Sequence, residues 1–350
     1  MPTGALPDPL YHLARQHLLF SGDTRISSLQ RWLRIGYEHA RALREALRGD
    51  ALDYHADTDT WHIHPNADRQ TDYLLADKLQ RAAHLLQGSS ALMIATGEGM
   101  AADSGLPDLR DAATFSHTWP AVAREGLGFE KMTSPQAFDE HPATAWGMYG
   151  QLLNLCRAKE PHAGYTLLRQ WGQRMPHGCF VFTSNADGHF HKAGFPAARI
   201  YECLGSIHRL QCTTACGAHP WQTGHLHPQV DSATLEWQGE LPHCPHCGAL
   251  ARPNLLMIDD GQWNPIRSTQ QRMLLDMWLD STPTPLVLEI GASRAVATVL
   301  NFTRRMQRRG SPLIRINLHE ADIHNPNDIE LALGAKDALK KIGALLQGTR

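Results

Sequence analysis

No apolar run in this 350-residue chain approaches the roughly 18 residues that a membrane helix needs, so no membrane-spanning helix is expected. The opening stretch, MPTGALPDPLYHLARQH, lacks a charged segment leading into an apolar one. A secretory leader is therefore not expected, and a cytoplasmic location is. Neither sign of charge dominates. Lys and Arg number 33 and Asp and Glu 35, for a formal net charge of -2, so nothing calls for a nucleic acid or a membrane as partner. The one basic run, RRMQRR at 304–309, reads as a solvated helix end. No internal repeat is evident. The seven cysteines are an odd number in a chain expected to be cytosolic, which argues against a disulfide framework. With 42% hydrophobic residues there is material for a sizeable core, in one large domain with an embellishment or in two domains.

Periodicity organises the chain. Apolar positions three or four apart predict a helix over 26–48, ended by Gly49-Asp50, and another over 72–87. Between them, 53–72 (DYHADTDTWHIHPNADRQTD) is rich in histidine and aspartate. A metal site built from His55, Asp57, Asp59, His62 and His64 is one reading, and a polar loop or short exposed hairpin is the favoured one. After Gly88-Ser89-Ser90 come apolar segments of strand type at 91–96, 179–184, 198–203, 286–291 and 313–318. Helical stretches at 134–159, 162–175, 269–280 and 328–347 lie among them. Strands alternating with helices predict an α/β fold with a doubly wound parallel sheet. Residues 206–252, rich in Cys, His, Gly and Pro, interrupt the rhythm as an inserted module. The expected division is a helical extension over 1–87, a Rossmann-like domain over 88–205 and 253–350, and a zinc-binding module over 206–252.

Three constellations carry chemistry. Cys212-x3-Cys216 and Cys244-x2-Cys247 supply four thiolates in two close pairs, with Gly217 and Gly248 placed to allow tight knuckles. Four thiolates close a tetrahedral zinc site and leave no open position, so the metal is structural. Gly97-Glu98-Gly99 follows a strand and precedes a helical turn, a pattern that lets backbone approach a pyrophosphate, though a tight turn has the same sequence. TSNADG (183–188) also follows a strand, and ligands bind at strand ends of open parallel sheets. Asn185 and Asp187, two apart, are predicted to face one crevice, with capping or turn roles as the alternative.

Taken together, these motifs resemble the sirtuin (Sir2) family. GEGMAADSGLPDLR is similar to that family's Gly-Ala-Gly-x-Ser-x-x-Ser-Gly-Ile-Pro-Asp-Phe-Arg cofactor loop, and TSNADG to its Thr-Gln-Asn-x-Asp. YECLGSIHRLQC stands where sirtuins have His-Gly followed by the first zinc cysteine. ARPNLLMIDD resembles the Arg-Pro-x-x-x-x-Phe-Gly-Glu segment, IGAS the Gly-Thr-Ser motif, and RIN the late strand with its asparagine. The matches run in family order over about 88–345. The resemblance implies a doubly wound NAD domain with a small zinc module, and NAD-dependent removal of acyl groups from lysine in a protein or peptide. By position, it assigns Gly97, Gly99, Ser104 and Arg110 to the cofactor loop, with Ser184 beside it. It gives Asn185 the ribose and a water, Asp187 the nicotinamide carboxamide, and Gly291, Ser293 and Asn317 the adenosine end.

The departures fall on the chemistry. Leu204 stands where the general-base histidine is expected, and leucine takes no proton. His208, His189 and His191 are loose substitutes; on a continuous strand His208 would share a face with Leu204, roughly 13 Å away. Glu98 replaces the loop alanine, and a carboxylate ~4 Å from a phosphate charge costs up to about 4 kcal/mol at an effective dielectric near 20, unless it faces solvent or pairs with an arginine. Ala101, Leu109 and Ser184 replace serine, phenylalanine and glutamine, and Ile258-Asp259 replaces Phe-Gly in the acyl-peptide segment. Two functions follow as expectations. One is an NAD-consuming enzyme, a lysine deacylase impaired by loss of its base or a catalyst of nicotinamide release or ADP-ribosyl transfer. The other is a catalytically inactive binding or regulatory protein on the same scaffold.

Overall fold

The computed structural model describes residues 10–64, 67–214, 216–323, 325 and 327–348. The first nine residues of the expected extension, and residues 65 and 66 of its histidine-rich stretch, lie outside them. The chain divides into two compact units, Met1–Leu79 and Gln80–Arg350.

The larger unit is built on a six-stranded parallel sheet. Its strands in chain order are Leu92–Thr96, Cys179–Thr183, Ile200–Glu202, Leu286–Ile290, Leu313–Ile316 and Ile329–Leu331. Numbered in that order they lie side by side as 3-2-1-4-5-6. The order reverses between the first and fourth strands, which is where a doubly wound sheet opens a ligand crevice. The first and fourth strands are buried at every position, because helices cover both faces and leave no polar side. Met93, Phe180, Phe182 and Val287 pack on one face against Leu275, Trp278, Val299 and Phe302 of helices Ile266–Asp280 and Ala297–Arg308. Strand side chains alternate, so Leu92, Ile94 and Val181 are buried on the other face, where helix Ala163–Arg174 lies over the first two strands and against helix Ala335–Gly348.

The inserted module holds a three-stranded antiparallel sheet of Trp221–Gln222, Gly205–Cys212 and Ala251–Leu255. Its core reaches back into the earlier chain. Phe115, Trp119, Phe138, Trp146 and Tyr149 form one cluster with Ile207, Leu210, Leu226, Ala251 and Met257. The indole of Trp146 donates to the Ala251 carbonyl oxygen at 2.9 Å.

The smaller unit packs helices Tyr11–Ser21, Ile26–Leu33 and Tyr37–Ala46 around Ala14, Leu18, Leu29, Ala40 and Leu43. A hairpin of Leu52–His55 and Thr60–Ile63 follows, the short hairpin favoured for the histidine-rich stretch.

Three helix boundaries differ from the periodic reading. The helix predicted over 26–48 is two helices, because Arg34 takes a left-handed conformation (φ 54°) and Gly36 then caps the second. The stretch 134–159 breaks at His141, since Pro142 disfavours the α-conformation in the residue before it. The stretch 328–347 begins as the sixth strand and turns helical only at Ala335, because pairing with Leu313–Ile316 overrides local propensity. No described helix is long and apolar enough to cross a membrane.

Candidate functional site at the strand-order reversal

Thr96 and Ile290 are register partners at the carboxyl ends of the first and fourth strands, so the loops that follow leave side by side. The Gly97 N–H donates to Ile290 O and the Gly99 N–H to Gly291 O, both at 3.0 Å. A Cβ on Gly97 would lie 2.6 Å from Gly291 O, and one on Gly99 2.7 Å from Gly291 Cα. Gly291 itself sits at φ +61°, with an added Cβ 2.5 Å from Gly99 Cα. These glycines are therefore required by the contact of two backbones, before any ligand is considered.

Glu98 forms an ion pair with Arg110, with side chains 25% and 23% exposed. The charge that looked out of place in a phosphate-facing loop is thus paired within the loop itself. Arg110 also reaches Asp108 at 3.3 Å. Ser104 Oγ accepts from the His162 N–H at 3.1 Å, tying the end of the loop to helix Ala163–Arg174.

The loop after the second strand is anchored to the same place. Asn185 donates from Nδ2 to Gly97 O at 2.8 Å and from its backbone N–H to Thr183 Oγ1 at 3.0 Å. The Ser184 N–H donates to Thr96 O at 3.1 Å. Asp187 Oδ1 accepts the His189 N–H at 2.8 Å, while Asp187 Oδ2 is buried and has no partner. Burial pushes the Asp187 carboxyl up to about 6. His208 donates from Nε2 to Asp187 O at 2.8 Å. On the adenosine side of the expected crevice, Asn317 braces the Gly291 loop by donating to Ala292 O at 2.6 Å. Its Oδ1 accepts the N–H groups of His319 and Glu320. The Ser293 hydroxyl is buried without a partner.

The base position is apolar in fact as well as in sequence. The chain turns at Cys203-Leu204, and Leu204 packs against the cluster under the sheet. Gly205 adopts φ +88°, and the strand that follows shifts register between Ser206 and Leu210. The continuous strand assumed for Leu204 and His208 therefore does not exist, and His208 is held by the Asp187 carbonyl. His191 lies 3.2 Å from Glu202 Oε2, and that carboxylate also pairs with Arg267. His189 is fully buried with both ring nitrogens unpartnered, and burial pushes its pKa down to about 4. The sequence offered it only as a loose substitute for the base; its burial is a tertiary feature, with Tyr165 of helix Ala163–Arg174 at 5.8 Å, ring centroid to ring centroid.

In the segment after the zinc module, Asp259 sits at φ +52°, a left-handed conformation in the place where the resemblance has glycine. The neighbouring Asp260 pins the turn through Arg252, at 2.7 and 2.8 Å in a buried pair. Ile258 is exposed.

Cys212, Cys216, Cys244 and Cys247 bring their four sulfurs within 4.8 Å of one another, with 3.5 Å between Cys212 and Cys247 and 3.7 Å between Cys216 and Cys244. A tetrahedral zinc with Zn–S bonds of about 2.3 Å places its sulfurs about 3.8 Å apart, so the donor set fits that ion. Gly217 and Gly248, at φ +80° and +73°, turn the two knuckles. The Ala249 N–H helps to hold the Cys247 thiol below its ordinary value, while hydrogen bonds to the other three sulfurs push Cys216 up, as four metal-free thiols crowded together must share their protons.

Comparison with known proteins agrees with this architecture. The sequence pattern of the Sir2 family matches residues 97–298. The chain is 26% identical over 267 residues to NAD-dependent protein deacylase 2 of Pseudomonas aeruginosa, covering 74% of this chain and 94% of that protein. It is 26% identical over 279 residues to the NAD-dependent protein deacylase of Corynebacterium glutamicum, covering 78% and 97%. Its fold is similar to that of a Sir2 homolog–NAD complex, with a TM-score of 0.58 at 19% identity over 77% of this chain and 94% of the other.

Proposed function

The chain belongs to the Sir2 family, and from that premise we propose that it is an NAD-consuming enzyme whose reaction is the removal of acyl groups from protein lysines. The observation that carries this reading is the pair of buried, unpartnered polar atoms at the crevice, Asp187 Oδ2 and Ser293 Oγ. A buried polar atom without a partner costs about 1–3 kcal/mol; eight other side-chain atoms of the described residues share that state, and what sets these two apart is their place on the loops that meet at Gly97 and Gly291. Asp187 Oδ2 suits the amide donors of a nicotinamide carboxamide, and Ser293 suits the adenosine end beside Gly291 and Asn317. Gly97, Gly99, Ser104, Arg110 and Ser184 form the loop on the other side, and Asn185 orients the ribose and a water. NAD, when bound, supplies a glycosidic bond that releases nicotinamide and a ribose that accepts the acyl oxygen.

The residues of this chain then divide that reaction unequally. Asn185 and Asp187 position and polarise, which serves nicotinamide departure. Leu204 offers no proton acceptor, and base assistance is typically worth about 10²–10⁴-fold. Transfer of the acyl group is therefore slow, and nicotinamide release to water or ADP-ribosyl transfer competes with it. The zinc thiolates hold the small module closed and take no part in the chemistry. A cytoplasmic home suits seven cysteines that form no disulfide.

Leu204 also favours a second reading, a silent scaffold that binds nucleotide or acyl-lysine peptide without turnover. Nicotinamide release from NAD by the zinc-loaded protein, with and without acetyl-lysine peptide, separates the two. Release that Asn185→Ala abolishes supports the enzyme. NAD binding without release, in wild type and in Asn185→Ala alike, supports the scaffold.

A further inference from the structure

We propose that an open cleft at the amino-terminal edge of the parallel sheet is a second ligand site, for a small molecule whose phosphate or carboxylate group is held by Arg199. The cleft has a volume of about 400 Å³, within the range of about 300–1,000 Å³ common to small-molecule sites. It lies where the turn 175–178 enters the second sheet strand and Arg199 enters the third. These strands run parallel and side by side, with Val181 the register partner of Ile200. The cofactor crevice, with Asn185, is at their other end, so a five-residue strand separates the two sites by roughly 17 Å.

The walls of the cleft are fixed by the fold. The His177 N–H donates to Ser90 O at 2.9 Å and the Leu92 N–H to Gly178 O at 3.1 Å, which ties the turn to the start of the first strand. The Trp278 indole donates to His177 O at 2.9 Å, which ties it to helix Ile266–Asp280. That helix and Ala163–Arg174 both end at the cleft, and bare carbonyls at a helix carboxyl end would repel an anion. Here they are occupied. Gly172 O accepts the Met175 N–H, Met175 O the Gly178 N–H, and Trp278 O the hydroxyls of Ser281 and Thr282.

What remains open to a ligand is positive or donating. Arg199, His177 and Gln173 line the cleft, and no aspartate or glutamate does. Arg199 is half-buried, and among the described residues its guanidinium has no hydrogen-bond or ion-pair partner. Its charge is felt by the Cys179 thiol, which burial pushes up to about 11 and Arg199 draws down in part. A protonated thiol is no counter-ion. A partly desolvated cation without a counter-ion is unfavourable. The guanidinium fork matches a phosphate or a carboxylate through two parallel bonds. His177 and Gln173, both exposed, add N–H donors at the rim.

The test titrates inorganic phosphate and, separately, citrate into the full-length, zinc-replete protein by calorimetry. At least one is expected to bind saturably with a Kd of about 1 mM or tighter. Tighter phosphate marks the natural ligand as a phosphate ester, and tighter citrate marks it as a carboxylate. Arg199→Gln is expected to weaken that binding by about tenfold or more, and His177→Gln by about threefold. Arg110→Ala, in the cofactor loop, is expected to leave it unchanged. Neither the Arg199 nor the His177 side chain has a partner to lose, so both variants fold, and an unchanged Tm checks it. Absence of saturable binding of either anion below about 10 mM overturns the proposal. So does binding that Arg199→Gln leaves within about twofold, or binding that Arg110→Ala abolishes, which puts the anion in the cofactor crevice.

Discussion

Arg110→Ala tests whether the charge on Glu98 is compatible with a phosphate ligand only because it is paired. Glu98 opens the short helix that follows the first sheet strand, and its carboxylate meets the Arg110 guanidinium in the same loop. Removing Arg110 leaves a lone negative charge beside the expected pyrophosphate. Two charges ~4 Å apart interact by about 1 kcal/mol in water and about 4 kcal/mol at an effective dielectric of 20. Both side chains are about one-quarter exposed, which places the site between these limits. A loss of about 1–3 kcal/mol follows, or about 5- to 150-fold in NAD affinity. Glu98→Ala in the Arg110→Ala background removes the unpaired charge and recovers most of that loss. Glu98→Ala alone leaves affinity unchanged or raises it, because Arg110 is released to the phosphate. Calorimetric NAD titrations of the four proteins give the coupling energy directly. Raising the salt concentration narrows the differences. If Arg110→Ala binds NAD within twofold of wild type, or the double variant binds no better than Arg110→Ala, the ion pair does not govern the loop and this reasoning fails.

Leu204→His is expected to raise the rate of acyl-lysine removal by about 10²–10⁴-fold while changing nicotinamide release little; an unchanged deacylation rate, measured by mass spectrometry of the peptide, would exclude the missing base as the limit. Asp187 predicts a pH dependence. Its folded pKa of about 6 lies above the ordinary 3.8, so burial favours the protonated form, and this group adds stability as pH falls through about 6 toward 4. A ligand that donates to the carboxylate then binds more weakly below pH 6, by about tenfold per unit at the limit, and Asp187→Asn flattens that profile. Gly291→Ala adds a Cβ 2.5 Å from Gly99 at a left-handed φ, costing about 1–2 kcal/mol for the backbone and about 1–3 kcal/mol for the clash. Calorimetry should show a Tm drop of about 3–9 °C.

The sheet was legible because each of its first five strands is a short, mainly apolar run set between helical periods, with Glu202, Glu289 and Arg315 as single charged interruptions. The sixth was hidden. Ile329–Leu331 offers three residues, and the following helix extends their pattern backwards, so only pairing with Leu313–Ile316 identifies it. The cysteine cluster was legible for the opposite reason: thiolates at those spacings have little other use. What the sequence could not carry is direction. It named Glu98 as an anomaly and offered an arginine as one partner, but only the fold selects Arg110. It placed His208 near Leu204 by assuming a straight strand, and the turn at Cys203-Leu204 with the register shift beyond Ser206 removes that geometry. It read the partnership of residues 112–158 with the zinc module not at all, since a core shared by distant segments leaves no periodic trace in either.

Retention of family-type residues weighs unequally for function. Gly97, Gly99 and Gly291 are explained by two backbones in contact, and Asn317 by the Ala292 carbonyl and the turn it caps. Asn185 is explained by its bond to Gly97 O, and Ser104 by the His162 N–H. A scaffold that had never met NAD would need all six to keep the two loops together. Their presence argues for the fold and is silent on turnover. Asp187 Oδ2 and Ser293 Oγ are different, because the described structure gives neither a partner while burying both. At Ser293 an alanine would serve a silent scaffold better, by about 1–3 kcal/mol, and at Asp187 an asparagine would keep the oxygen that accepts the His189 N–H without burying a charge. If Asp187→Asn and Ser293→Ala stabilise the protein while abolishing NAD binding, these two side chains are kept for the ligand. If they destabilise it instead, the fold has an undetected use for them, and the case for a working crevice loses its main support.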